Sequence, residues 1–250
     1  MQSQLEGGYH EWDIHEGSVL VWRLNDQGPE SIVHEGKTYH RFMDVFYVSE
    51  IEIDRLSLGE VISLCRAREL NCDAITGTNE KVKRVFRSAI AQLSPGVVWE
   101  IGAGARPLFL GNEQFLYLKS DADLESMSGQ GGEKFCFSEN ESRVGVDSGT
   151  VDVAVAVFVL QFTFYSEQID EIIRCLSPGG IFLANVYRRT PASRSRLKSQ
   201  FLEKGLVLEV IPDPKQLCRD HEYWIVSKDV SSSRDAVNVI QAIVRADTSD

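Results

Sequence analysis

The sequence predicts an α/β fold: a mostly parallel sheet with an antiparallel last strand, preceded by a β-rich and helical N-terminal appendage. Three observations predict it. From Val97 onward, short apolar strands alternate with helical segments, the pattern of a parallel sheet with right-handed crossovers. Val151 to Val159 is almost continuously apolar, as a central strand covered on both faces requires. Before residue 79 the pattern differs, with short strand-like runs first and helical spacing after them. The expected division is an appendage or lid over 1–78, a ligand-binding domain over 79–228 and a C-terminal helix over 229–250.

The appendage opens with a strand at Ser18–Leu24 and a turn at Asn25–Pro29. Ile32–His34 and Lys37–Phe42 read as short strands about Glu35-Gly36, and Met43–Ser49 as another. Ser57 with Glu60 three residues later is a capping-box pattern, and its helix runs to about Leu70. Asn79 is placed to cap a second helix, with Val82, Val85, Phe86, Ile90 and Leu93 at helical spacing and Ser94-Pro95-Gly96 ending it.

The main domain begins with a strand at Val97–Ile101. Pro107–Gly111 is expected to open a short helix, since proline suits a first helical turn. Strands follow at Phe115–Lys119 and Lys134–Phe137, with a short helix at Asp123–Ser128 between them. After the Val151–Val159 strand come a helix at Ser166–Leu176, a turn at Ser177-Pro178-Gly179-Gly180 and a strand at Ile181–Tyr187. A helix at Ser193–Lys204, strands at Leu206–Ile211 and Tyr223–Ser227, and an amphipathic helix at Ser233–Val244 complete the chain.

The chain has 250 residues and a formal net charge of −11. Nucleic-acid binders carry a basic excess or a concentrated basic face. The stretches Lys81–Arg87 and Arg188–Lys198 read as solvated helix faces instead, so a small-molecule substrate is expected and nucleic acid is not. No apolar run reaches the roughly 20 residues that span a bilayer, and the first residues lack the pattern of a signal peptide. Five scattered cysteines without a CxxC pair predict a reduced, cytoplasmic protein with neither a disulfide framework nor a zinc site. Four of five histidines, His10, His15, His34 and His40, fall in the appendage. They read as structural or surface groups or as a general base over the pocket, and their spacing matches no zinc pattern.

The chemistry concentrates at Val97-Val-Trp-Glu-Ile-Gly-Ala-Gly-Ala-Arg-Pro107, a strand running into a glycine-rich turn. Glycine lets backbone pass close to a ligand. The nicotinamide fingerprint needs glycine where Pro107 stands, and the Walker A lysine is missing. An acid ends the next strand at Asp121, placed to accept ribose hydroxyls. The acidic loop Ser138-Glu-Asn-Glu141, the strand led by Asp152 and the Ser177–Gly180 turn follow in order.

This ordered set resembles the class I S-adenosylmethionine-dependent methyltransferases over residues 79 to 228. The resemblance implies a Rossmann-like methyltransferase sheet with S-adenosylmethionine as cofactor. It implies that Glu100, Gly102, Ala103 and Gly104 hold the methionine part, that Asp121 with Ala122 takes the ribose, and that Asn140, with Glu139 as rival, meets the adenine. Arg106 replaces the family's third glycine, and either crowds the turn or reaches a carboxylate. Phe158 lies at the reaction centre with Gln161, and Phe162, Phe164 and Tyr165 share its aromatic neighbourhood. Gln161, Tyr187 and Asn185 are the candidate catalytic or substrate-facing groups. Gln161-Phe162-Thr163 stands where amino-methylating members carry Asn-Pro-Pro-Tyr or Asp-Pro-Pro-Tyr.

The leading expectation is methyl transfer to an O, N or C atom of a small metabolite, of the kind found in secondary metabolism. One alternative is γ-carbon chemistry on the same cofactor, either aminocarboxypropyl transfer or cyclisation to azetidine-2-carboxylate with methylthioadenosine release. The other is a non-catalytic cofactor-binding or interaction domain, with Val237, Ile240 and Ile243 of the last helix offering a homodimer contact.

Overall fold

The fold was analysed in a computed structural model, which describes residues 3–4, 10–15, 18–22, 31–34, 36–43, 46–48, 53–71, 76–111, 113–215, 217 and 220–246. The chain divides into two compact units, residues 1–76 and 77–250.

The first unit holds a six-stranded antiparallel sheet in the order β1-β2-β3-β6-β5-β4. Its strands are β1 (Ser3–Gln4), β2 (His10–His15), β3 (Ser18–Trp22), β4 (Ser31–His34), β5 (Lys37–Met43) and β6 (Phe46–Val48). Neither β1 nor β2 was legible in the sequence. The expected turn at 25–29 lies outside the described residues. Helix α1 (Leu58–Asn71) follows, and its start is the capping box expected of Ser57. The Ser57 amide donates to Glu60 Oε2 at 2.8 Å and the Glu60 amide to Ser57 Oγ at 3.3 Å.

The second unit begins with α2 (Thr76–Leu93). This helix starts three residues before the expected cap, so Asn79 lies inside it. Seven strands follow: β7 (Val97–Ile101), β8 (Leu116–Asp121), β9 (Lys134–Cys136), β10 (Val151–Ala156), β11 (Leu176–Val186), β12 (Val207–Pro212) and β13 (Glu222–Ser227). They form one sheet in the order β12-β13-β11-β10-β7-β8-β9. All neighbours are parallel except β13, which runs antiparallel to both β11 and β12.

Helices cover both faces. On one, α3 (Ser166–Cys175) and α4 (Pro191–Glu203) bury Ile169, Ile172, Leu197 and Phe201 against Trp99, Ala154, Phe182 and Trp224. On the other, Phe86 of α2 meets Tyr223 edge-on at 5.7 Å, and α5 (Val230–Ala246) packs on β11, β12 and β13. Ile240, expected at a dimer contact, is buried within the chain. Among the described residues no helix is long and apolar enough to cross a membrane.

Two expectations fail for identifiable reasons. Pro107–Gly111 forms no helix. Side chains from the neighbouring strands capture its amides instead: Leu108 N–H donates to Glu100 Oε2 at 2.9 Å and Phe109 N–H to the Tyr117 hydroxyl at 3.4 Å. The crossover from β7 to β8 is therefore irregular, where parallel strands are usually joined through a helix. Ser177–Gly180 is a bulge inside β11 rather than a turn before it. Val151 pairs with Leu176, and Val153 next pairs with Ile181. A Cβ on Gly180 would lie 2.7 Å from the Val151 carbonyl oxygen, so glycine permits this close approach.

Candidate functional site

The sheet order reverses direction between β7 and β10, its neighbours being β8 on one side and β11 on the other. In open α/β sheets the crevice beyond the carboxyl ends of the strands at such a switch point is where ligands bind. The turns after β7 and β10 meet there. Gly102 has φ +73°, and a Cβ built on it would stand 2.2 Å from Cγ2 of Val159. Only glycine fits both the backbone conformation and the gap.

Strand β8 holds the glycine turn. The amides of Gly102 and Ala103 donate to the Ser120 carbonyl at 2.8 and 3.1 Å. The Gly104 amide donates to Asp121 Oδ2 at 2.9 Å, while Asp121 Oδ1 accepts the Asp123 amide at 2.8 Å. Asp121 thus ties two turns together with one carboxylate. Asp123 caps the following short helix, accepting from the Glu125 amide. Ala122 is half-buried beside it and lends its carbonyl to Cys136 Sγ at 3.9 Å.

Glu100 points inward. Its carboxylate is 1% exposed and accepts from the Tyr117 hydroxyl and the Leu108 amide. Burial pushes its carboxyl above the ordinary range and outweighs these two donors. Burial and then the Glu100 charge push the Tyr117 hydroxyl upward in turn. Glu100 therefore shapes the turn from beneath. Ala103 is buried, and the Arg106 side chain is exposed with its carbonyl held by Lys83 Nζ, so arginine in place of glycine does not crowd the turn.

Across the crevice, β10 ends in a strained turn. Phe158 is a non-glycine residue at φ +60°, a conformation that needs outside support. Three side chains supply it. Asn185 Oδ1 accepts the Phe158 amide at 2.7 Å, and Gln161 Nε2 donates to the Phe158 carbonyl at 2.5 Å. Arg189 donates from Nε to the Leu160 carbonyl at 2.5 Å and from Nη2 to that of Phe162. Tyr187 packs edge-on against the Phe158 ring at 5.4 Å. Gln161 is 1% exposed, and its buried Oε1 has no hydrogen-bond partner among the described residues.

Behind Asn185 stands a residue that the sequence reading did not single out, His221. Asn185 Nδ2 lies 3.2 Å from His221 Nε2, and His221 Nδ1 lies 2.8 Å from Asp213 Oδ2. All three residues are at most 2% exposed. The Phe158 amide can only donate, so Asn185 must present Oδ1 to it and Nδ2 to the imidazole. Nε2 then accepts and Nδ1–H donates to the carboxylate. The chain of donors runs in one direction, from Phe158 to Asp213. Burial alone would raise the Asp213 carboxyl. The His221 hydrogen bond, with the Leu217 and Lys215 amides, outweighs it and holds Asp213 below its ordinary 3.8.

Both ends of the Asn185 amide are engaged inside the fold, so Asn185 does not face a substrate as expected. Asn140 is exposed, and its amide is turned to Ser138 Oγ at 3.3 Å. Its rival Glu139 accepts from the Tyr165 hydroxyl, which that hydrogen bond, ahead of burial, pushes up to about 12. Phe162 and Phe164 are buried, the latter in the main core. The side chains of His10, His15 and His34 lie outside the described residues, and His40 is half-buried in β5. Asp152 sits at the opposite end of β10, where it accepts the Gly96 and Val97 amides at 2.9 and 3.0 Å.

No protein-family model matches the chain, and no curated protein matches it. Solved structures do. A TehB-like SAM-dependent methyltransferase from Corynebacterium glutamicum aligns with a TM-score of 0.50 and 13% identity, over 69% of this chain and 98% of that one. The CurJ carbon methyltransferase aligns with a TM-score of 0.46 and 19% identity, over 65% of this chain. The alignment spans 57% of the CurJ chain. A SAM-dependent methyltransferase from Thermotoga maritima, described as a possible histamine N-methyltransferase, gives 0.45 and 11%, over 67% and 96%. The second unit has the class I S-adenosylmethionine-dependent methyltransferase fold.

Proposed function

We propose that the second unit binds S-adenosylmethionine in the crevice between the β7 and β10 turns and transfers its methyl group to a small-molecule acceptor. The observation that carries this reading is the meeting of Gly102 and Val159 at the switch point, with Asp121 fastened to the same turn. Gly102, Ala103 and Gly104 would border the methionine part, Asp121 and Ala122 the ribose, and Phe158 the sulfonium. Asn140 and Glu139 remain the candidates for the adenine. Bound there, the cofactor supplies an electrophilic methyl carbon.

The protein's own task is then alignment and exclusion of water, which can contribute several kcal/mol. Gln161 suits that task. Its Nε2 is committed to the Phe158 carbonyl, so its orphan Oε1 is a fixed acceptor for an N–H or O–H of the methyl acceptor. A neutral amide is too weak a base to keep a proton, so Gln161 orients the nucleophile rather than deprotonating it. The net charge of −11 favours a small metabolite over nucleic acid.

Calorimetric titration with S-adenosylhomocysteine tests the reading, and absence of binding at millimolar ligand would sink it. Asp121→Ala is expected to weaken binding about 10- to 100-fold, from the roughly 1.5–3 kcal/mol of a hydrogen bond to a charged group. Incubation with S-adenosylmethionine alone checks the bond that breaks. Release of methylthioadenosine would replace methyl transfer with γ-carbon chemistry.

A further inference from the structure

A cavity of about 560 Å³ opens beside the irregular crossover from β7 to β8. Its size lies within the roughly 300–1,000 Å³ of small-molecule sites. It borders the glycine turn through Ala105 and Pro107, yet Gly102, Asp121 and Phe158 are not among its lining residues. It is therefore distinct from the crevice at the strand ends.

Three features of its lining point to one ligand chemistry. The first is a buried cation. Lys119 is 5% exposed, and its Nζ donates to the Gly131 carbonyl at 2.6 Å. An ammonium has three donors, and among the described residues no carboxylate pairs with this one. Glu113, the carboxylate in the lining, makes no ion pair with it and acts only through space, as does Glu100. Lys134 adds a second positive charge nearby, holding the Met127 and Gln130 carbonyls. Burial first, and Lys134 second, push the Lys119 ammonium below its usual range. A buried charge without a counter-ion is costly, and the missing partner is an anion.

The second feature is an aromatic wall. Phe109, Phe115 and Tyr117 pack edge-to-face with ring centres 5.1 to 6.3 Å apart. The third is an orphan acceptor. Gln130 donates from Nε2 to the Gly104 carbonyl at 2.6 Å, and its buried Oε1 has no partner among the described residues. Gly131 leaves the facing space open, since a Cβ there would meet nothing within 4 Å.

We propose that this cavity binds a small aromatic hydroxycarboxylate, with its carboxylate paired to Lys119, its ring against Phe109, Phe115 and Tyr117, and its hydroxyl donating to Gln130 Oε1. The site stands independently of the cofactor reading, because none of these groups is assigned to the cofactor.

Calorimetry on the full chain tests it, with 4-hydroxybenzoate as the probe and 4-hydroxybenzamide as its neutral counterpart. The acid is expected to bind with a Kd of about 1 mM or tighter, and the amide at least about tenfold more weakly. Lys119→Met keeps the apolar stem and removes the charge. It should abolish binding of the acid while S-adenosylhomocysteine titrates as in the parent, and it should raise the melting temperature by removing an uncompensated charge. Glu113→Gln removes the opposing charge from the lining and should tighten the acid several-fold, which decides the matter if the methionine variant does not fold. No saturable binding up to about 10 mM, equal affinity for acid and amide, or unchanged affinity in Lys119→Met or Glu113→Gln overturns the proposal.

Discussion

Gly102→Ala is expected to abolish S-adenosylhomocysteine binding and to destabilise the chain by about 2–5 kcal/mol. Two separate effects contribute. The backbone at φ +73° lies in the left-handed region, where a Cβ meets the following carbonyl and costs roughly 1–2 kcal/mol. The new methyl would also stand 2.2 Å from Val159 Cγ2, a distance no real pair tolerates. Relief requires the β7 and β10 turns to separate, and forced shifts of this kind cost about 1–3 kcal/mol. Each kcal/mol lowers the melting temperature by about 2–4 °C for a chain of this size, so scanning calorimetry reads the loss directly. A double mutant with Val159→Ala separates the two effects. It should restore the part due to the clash and leave the part due to φ, giving a non-additive cycle. Additive losses would mean that the two turns are not in register as described.

The same contact explains why part of this site was legible in the sequence and part was not. A glycine-rich turn after an apolar strand, followed by an acid at the end of the next strand, is a local pattern. It located Gly102, Gly104 and Asp121 because the chemistry of a turn resides in consecutive residues. The positions of the main sheet's strands along the chain were legible for the same reason, since each strand announces itself by its own apolar run, whereas their order across the sheet was not. The first two strands were missed because His10–His15 mixes polar and apolar residues without a clean run. The missing helix at 107–111 depended on a competition that no local pattern records. Proline favoured a helical start, but Glu100 and Tyr117 offered the amides of Leu108 and Phe109 other acceptors. Support for the Phe158 turn was hidden by distance along the chain, with Asn185 and Arg189 reaching back 27 to 29 residues. One signal was available for His221. Asp213 follows β12 directly and His221 precedes β13, so pairing those strands as a hairpin brings the two together, and the Asp213 amide donates to the His221 carbonyl at 3.0 Å.

Asn185→Leu is expected to cost about 2–6 kcal/mol, because it strands the Phe158 amide and His221 Nε2 in the core at about 1–3 kcal/mol each. It should also weaken S-adenosylhomocysteine at least about tenfold, since the turn that carries Phe158 loses the acceptor holding it at φ +60°. Asn185→Asp separates positioning from packing. Its first oxygen still accepts from Phe158, but its second meets the lone pair of His221 Nε2 and loses that hydrogen bond. The parent carries a pH dependence of its own. Asp213 is held below its ordinary 3.8 in the folded chain, so its contribution is complete above that value and is lost as pH falls through the depressed one. Chemical denaturation at several pH values measures this slope, and calorimetric titration of S-adenosylhomocysteine reads the affinity of the variant. If Asn185→Asp loses stability but keeps its ligand affinity, the Asp213–His221–Asn185 chain serves only the core. If both fall together, it sets the geometry of the Phe158 turn for the ligand.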